Sequence, residues 1–434
     1  MSTSATPAFV LWFGPTGLAI ARSLGRRGVP VIALHHDSNE PSTGSRYADV
    51  HIVRPVEEDE EGWLRLLLEE GRRLRGARAP LLVASDATWL FAVRNRQALS
   101  QYFAIPLPEV DDATEWMNKT WQYAAAARAG IPFPRIMTPY TPAELREAAD
   151  SVAYPCVLKP ALSHLWRKRY PQKLAFARTR EELLAFGDDA MSAGLAFAVQ
   201  EFIPADDSDV YGVFSYVGHS GQSGGHCTIR KVRQFEPRFG SSCCSESVDE
   251  PRVLELGLRL VKSIGFRGIS SVEFKRDKRD GDFKLMEINL RSPLLMGAVI
   301  DSGLDLPYIA YRDLIGDPLP LQKPTRLGRR AGIFAQDIFS ARYYRQLGKL
   351  SLARWLWGWL RTRDLHFAWD DLAPFRGYMH TLFDHYRRGK YRDLPANFPT
   401  AEEWALGEWP CPTATEGPRA ARQAPSKMSV SGVA

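Results

Sequence analysis

The stretch of this 434-residue sequence with the most chemical character runs from Ser271 to Pro293. Two strand-like arms flank a polar turn holding Asp280-Gly281, which predicts a β-hairpin. In the second arm Glu287, Asn289 and Arg291 alternate with Met286, Ile288 and Leu290. A strand's period of two then puts the three polar residues on one face and the apolar ones on the other. With the turn centred near Asp280, Glu273 falls opposite Glu287 on the polar face. Two carboxylates facing each other across a ladder repel unless something neutralises them. Magnesium does so readily, because it takes oxygen ligands and shares them with phosphates. Glu273, Glu287 and Asn289 are therefore the candidate metal ligands, and Arg291 would face a transferred phosphoryl group. Spacing alone leaves a second reading open, a surface hairpin with scattered charges.

The elements that must position this hairpin fall into two styles. Phe9 to Phe13 is a continuous apolar run, as in a strand buried on both faces. A turn at Gly14-Pro15-Thr16-Gly17 leads to a helix from Leu18 to Arg27, and Val29 to Leu34 is a second strand. Pro80 to Ser85 reads as a later strand of the same parallel sheet. Near Glu109 the character changes. A helix from Asn118 to Gly130 precedes strands at Cys156–Lys159, Ala196–Ile203, Val210–Val217, Cys227–Val232, Ile269–Lys275 and Lys284–Asn289, with helices between them. The chain thus combines an α/β opening with an α+β body.

The Glu-x-Asn-x-Arg strand with an acidic residue on its neighbour resembles the metal-binding end of the ATP-grasp fold. The likeness extends upstream. Lys119, before a helix and a Gly-Ile-Pro-x-Pro segment, matches the family's first nucleotide lysine, and Lys159 in Tyr154-Pro-Cys-Val-Leu-Lys-Pro matches the second. Val199-Gln-Glu-Phe-Ile203 matches the strand that meets adenine, through Glu201, and Asp209 stands where a polar residue meets ribose. Within the superfamily the chain resembles the D-aspartate ligase-like carboxylate–amine ligases, on Arg230 to Gly240, Val272 to Asp277 and Trp369-Asp370-Asp371-x-x-Pro374-Phe375.

That resemblance implies a Rossmann-like domain over 1–110 and an ATP-grasp domain over 111–322, with its lid at about 135–200. A basic, Trp-rich helical extension over 323–395 and a disordered tail over 396–434 follow. It implies ATP and Mg2+ as cofactors, with Mn2+ able to substitute, and small-molecule carboxylate and amine substrates, a cell-envelope precursor among the candidates. Arg291, Lys159 and Arg230 would be catalytic; Lys119, Lys159, Glu201, Asp209 and Lys231 would bind nucleotide; Arg238 would lie near a substrate. A thiol in place of the amine, or a reaction that stops at phosphoryl transfer, is the alternative. One departure is plain: from Ala161 to Lys173, after the second lysine, no glycine-rich loop cradles phosphate.

Composition bounds the remaining classes. Hydrophobic residues make up 45% and charged residues 24%, ordinary for a globular chain of several domains. The net charge of +6 is uneven: Lys323 to Asp393 carries +9 (fifteen Lys/Arg against six Asp/Glu), leaving −3 elsewhere. A charge so confined argues against nucleic acid as a partner. The five cysteines show no metal spacing and read as free thiols of a reducing compartment. No leader and no apolar run long enough to span a bilayer is evident, so the expected place is the cytoplasm. Gly14-x-x-Gly17 with Asp37 lacks the third glycine of a nicotinamide-binding fingerprint. Arg342 to Arg363 places Trp355, Trp357 and Trp359 among six basic residues. Peripheral contact with an anionic membrane and packing against the catalytic domains both suit it.

Overall fold

The computed structural model describes residues 5–388, apart from 75, 77, 109–112, 162–165, 167–168, 171–173 and 236–239. By their contacts these residues form two units. One is Arg135–Phe202, and the other joins the residues before it to those after it.

In the larger unit the chain opens with a sheet of β1 (Ala8–Leu11), β2 (Val31–His35), β3 (Asp49–Ile52), β4 (Ala79–Val83) and β5 (Phe103–Ala104). Every pairing is parallel and the order is β3-β2-β1-β4-β5. The order reverses between β1 and β4, and open sheets of this kind bind ligands beyond the strand ends at that reversal. The turn after β1 explains Gly14-x-x-Gly17. Trp12 has φ of +77°, and its ring folds back so closely that a Cβ on Gly14 would lie 2.4 Å from it. A Cβ on Gly17 would lie 2.8 Å from the Trp12 carbonyl. Both glycines serve the packing of this turn.

The smaller unit is an antiparallel sheet of β6 (Ile136–Met137), β7 (Cys156–Pro160), β8 (Ala175–Ala177) and β9 (Phe197–Glu201), in the order β6-β9-β7-β8. Helices Pro142–Ser151 and Arg180–Ser192 bury Leu145, Ala148, Leu183 and Phe186 against Leu158, Phe197 and Val199.

Back in the larger unit lies a seven-stranded sheet. Its strands are β10 (Val210–Val217), β11 (Ser223–Phe235), β12 (Ser241–Val248), β13 (Gly268–Arg276), β14 (Phe283–Asn289), β15 (Arg330–Gly332) and β16 (Thr362–Asp364). The order is β14-β13-β10-β11-β12-β15-β16, antiparallel except between the last two. Helix Pro251–Ser263 buries Val253, Leu256 and Leu260 on one side, and a Cβ on its Gly257 would come within 2.7 Å of Val213. Phe13, Ile20 and Leu24 of the opening region share one buried cluster with Phe214, Ile229, Met296 and Leu306. The opening sheet and the later strands therefore rest on a common core.

Helices Phe334–Gln346, Leu352–Trp359 and Ala373–Arg387 make the C-terminal region helical, as the sequence predicts. It also supplies β15 and β16, short strands with too few residues to show a pattern in the sequence. The expected disordered tail, Cys411, Arg238 and nearly all of the loop after Lys159 lie outside the described residues. Cys156, Cys227, Cys243 and Cys244 are buried free thiols. Among the described residues no helix is long and apolar enough to cross a membrane.

Candidate functional site

The hairpin forms as its turn chemistry predicts, with Gly281 taking φ of +75° between β13 and β14. Glu273 is the direct partner of Glu287, and Ser271 of Asn289. One detail departs from strict alternation. Glu273 pairs with Glu287 but Phe274 pairs with Leu285, so Met286 is an extra, bulged residue. Leu285, Ile288 and Leu290 are buried while Met286 is only half-buried, and Leu285 takes the core place the alternation gave to Met286.

Each carboxylate has a lysine. Lys231 Nζ lies 2.8 Å from Glu273 Oε2, and Lys119 Nζ lies 3.8 Å from Glu287 Oε1. Lys119 begins helix Lys119–Arg128, whose start is fixed by the Asn118 side chain accepting from the Thr120 N–H at 2.9 Å. The same helix clips the outer edge of β14. The buried Gln122 amide donates to the Ile288 carbonyl at 3.0 Å and accepts the Ile288 N–H at 3.1 Å, and the Tyr123 hydroxyl donates to the Met286 carbonyl at 3.2 Å. Burial, with the Glu287 charge adding to it, pushes the Tyr123 phenol well above its ordinary range, so it remains a donor. Glu287 and Asn289 flank Ile288, which Gln122 grips on both its backbone groups, and this fixes their backbone.

Arg291 donates from Nε to Asp86 Oδ1 at 2.6 Å and from Nη2 to Asn289 Oδ1 at 3.2 Å. Asp86 opens helix Asp86–Arg94 just beyond β4, at the reversal of the parallel sheet, and Ser85 caps that helix in a reciprocal box with Thr88. The Ser292 N–H donates to the Val83 carbonyl at 3.1 Å, tying the segment just past β14 that carries the arginine to the end of β4. Sequence reading missed Asp86, Gln122 and Tyr123. The Ser85-Asp-Ala-Thr88 cap was a readable helix start, but its pairing with Arg291 spans 205 residues and leaves no local trace.

Arg230 does not join this group. Neighbours on a strand face opposite ways, so Lys231 turned toward Glu273 puts Arg230 on the other face of β11. There it meets Glu246, its cross-strand partner, at 2.7 Å, and Glu246 also holds Arg330 at 3.3 Å. Asp209 closes a short turn by accepting the Asp206 N–H at 2.8 Å and lies 3.9 Å from Lys278. In the smaller unit Lys159 sits on β7 opposite Ala198, and Glu201 ends β9, where its side chain accepts the Arg135 N–H at 3.1 Å.

Among the described residues no three or more His, Cys, Asp or Glu side chains converge into a metal cage. The donor set at the hairpin suits a different demand. Two carboxylates and an amide oxygen on one face of β13 and β14, each steadied by a neighbour, match an ion that takes only one or two protein carboxylates and draws its remaining ligands from phosphates and water.

No family model matches the chain. It is similar to D-aspartate ligase of Enterococcus faecium, 27% identical over 299 residues, covering 65% of this chain and 70% of that one. It is also similar to formate-dependent phosphoribosylglycinamide formyltransferase of Wolinella succinogenes, 23% identical over 323 residues, covering 72% and 77%. Among solved structures, an ADP complex of N5-carboxyaminoimidazole ribonucleotide synthetase aligns with a TM-score of 0.60 at 15% identity, over 80% of this chain and 88% of that one. That last likeness is one of fold.

Proposed function

Since the chain is a member of the ATP-grasp superfamily and of its ligases, we propose that it joins a carboxylate to an amine through an acyl-phosphate, releasing ADP and phosphate. The observation that carries this reading is the register of Glu273 with Glu287, each held by its own lysine, on the edge that Gln122 fixes. Glu273, Glu287 and Asn289 would hold magnesium, which supplies charge neutralisation for the polyphosphate when bound; manganese, with the same taste for oxygen, would substitute.

The chain's own part is positioning and charge. Lys119 and Lys159 neutralise polyphosphate, Glu201 and Asp209 bind the nucleoside, and Lys231 steadies Glu273. The substrate carboxylate oxygen attacks the γ-phosphorus and ADP leaves. Arg291, aimed by Asp86 and Asn289, stabilises charge on the acyl-phosphate. The amine nitrogen then bonds to the acyl carbon, loses a proton, and the carbon–oxygen bond to phosphate breaks. We assign no step to Arg230, which is paired with Glu246 on the far face.

ADP release should appear only when MgATP, a carboxylate and an amine are supplied together, and amino acids are the first carboxylates to screen because one relative is a D-aspartate ligase. Release with the carboxylate alone would favour a reaction that stops at phosphoryl transfer. Release driven by a thiol in place of the amine would change the acceptor and leave the activation of the carboxylate as it is. NAD rather than ATP raising the melting temperature would overturn the nucleotide assignment.

A further inference from the structure

The tryptophan-rich segment divides into an inner and an outer face. Trp355 is buried, and its indole N–H donates to Asp337 at 2.7 Å; the Trp359 indole donates to the same carboxylate. Arg233 closes that node with two bonds to Asp337, at 2.6 and 2.8 Å. Trp355 and Trp359 are thus spent on holding helix Leu352–Trp359 to the sheet. The arc beside that inner face is bare. Leu352 is 46% exposed, Leu356 51%, Trp357 59% and Leu360 79%.

At about 100° per residue, Leu352, Leu356 and Leu360 follow one another along a single stripe, with Trp357 beside them. The exposed Arg354 and Arg361 border the stripe on the flank next to Trp357, and the Arg361 guanidinium lies 4.8 Å from the Trp357 ring centroid. Arg342 and Arg345 stand exposed on the preceding helix. From Arg342 to Arg363 the sequence holds no Asp or Glu.

We propose that this helix is a membrane-contact element: the Leu352, Leu356, Trp357 and Leu360 stripe enters the headgroup layer of an anionic lipid surface while the bordering arginines bind its phosphates. Charge and size decide the partner. The +9 excess of Lys323 to Asp393 lies in this region, and acidic lipids complement it. Four side chains on one short convex helix fall well short of the roughly 800 Å² a stable protein partner would cover. An apolar stripe with tryptophan and arginines at its margin is the composition of a helix lying in the bilayer interface. The proposal does not depend on the reaction assigned above.

The full chain should co-sediment with vesicles of phosphatidylcholine mixed equally with phosphatidylglycerol and stay in solution with phosphatidylcholine alone. Arg354→Gln and Arg361→Gln together should weaken that binding roughly 25-fold, at about fivefold per charge. Leu356→Ser with Leu360→Ser should weaken it by more than tenfold. All four side chains are exposed, so melting temperature and ADP release without lipid should be unchanged. Equal binding to neutral and anionic vesicles, no binding to either, or binding indifferent to both double variants would each overturn the proposal; the last would assign the lipid contact to another segment.

Discussion

Two groups of opposite charges in the larger unit are built to different plans. At the hairpin, Lys119 and Glu287 are 3.8 Å apart with side chains 33% and 46% exposed. At the junction of the first helix with the C-terminal region, Arg22 and Asp371 meet at 2.8 Å with side chains 7% and 1% exposed. Arg22 also donates to the carbonyls of Leu365, His366 and Asp371, and Asp371 accepts in addition from the Ser45 hydroxyl and the Arg46 N–H. Beside it, Asp370 takes both Arg26 bonds at 2.8 Å and the Tyr47 hydroxyl at 2.7 Å, and these bonds hold its carboxyl far below the usual range. The buried node is saturated by the protein itself and has nothing left to offer a ligand. The Lys119–Glu287 pair is longer and more open to water, the arrangement that the proposed exchange of lysine for metal and phosphate would need.

That contrast makes separable predictions. Glu287→Ala should lower kcat/KM by on the order of 10³-fold or more while leaving the melting curve in place, because the side chain removed is half exposed. Substantial turnover in that variant would remove the hairpin from the mechanism. Asp371→Ala should do the reverse, costing about 3–5 kcal/mol in denaturant titration by leaving Arg22 buried and unpaired, with turnover per folded molecule preserved. If it melts like the parent, the node is not a structural keystone.

Asp86→Ala should reduce kcat/KM by about 100-fold through a misaimed Arg291, again without loss of stability. A drop in melting temperature with full activity would make Asp86 part of the scaffold instead.

The smallest effect concerns His366, whose ring is buried, stacked 4.0 Å from Tyr378, and without a partner on either nitrogen among the described residues. Burial brings its pKa from 6.5 down to about 4. The unfolded chain therefore binds the proton more readily between those values, and stability falls as pH drops through that window. His366→Phe should remove about 1 kcal/mol of the stability change between about pH 7.5 and 5.5. His35, brought to about 4 by burial and by His36, acts in the same direction, so a shallower slope should remain. An unchanged slope in the variant would show that the ring takes up its proton as readily in the fold as in the unfolded chain.

What could be read from the sequence follows from how local each cause is. The hairpin register was legible because Asp280-Gly281 and the alternation around Glu287 are short-range signals, and the fold class followed from strand and glycine spacing together with the family likeness. The bulge at Met286 was not, since nothing in the composition marks which residue a twisted edge will leave unpaired. Arg230 was grouped with Lys231 on likeness, although strand periodicity alone would have put them on opposite faces. Trp369-Asp370-Asp371 resembled a family motif, and its partners, Arg22, Arg26 and Tyr47, lie more than three hundred residues earlier. The tryptophans were read as one basic segment; only the reach of Trp355 and Trp359 to Asp337 separates those that anchor from the one that faces out.

The bond from Arg22 to Asp371 joins positions 349 residues apart. During synthesis the first helix leaves the ribosome many seconds before its counter-charge exists, given elongation at about 5–20 residues per second. Through that interval the guanidinium must remain hydrated, and the opening sheet cannot close its surface over it. Burial of this guanidinium is therefore timed by the arrival of Asp371, which makes the node a late step in the closing of the larger unit.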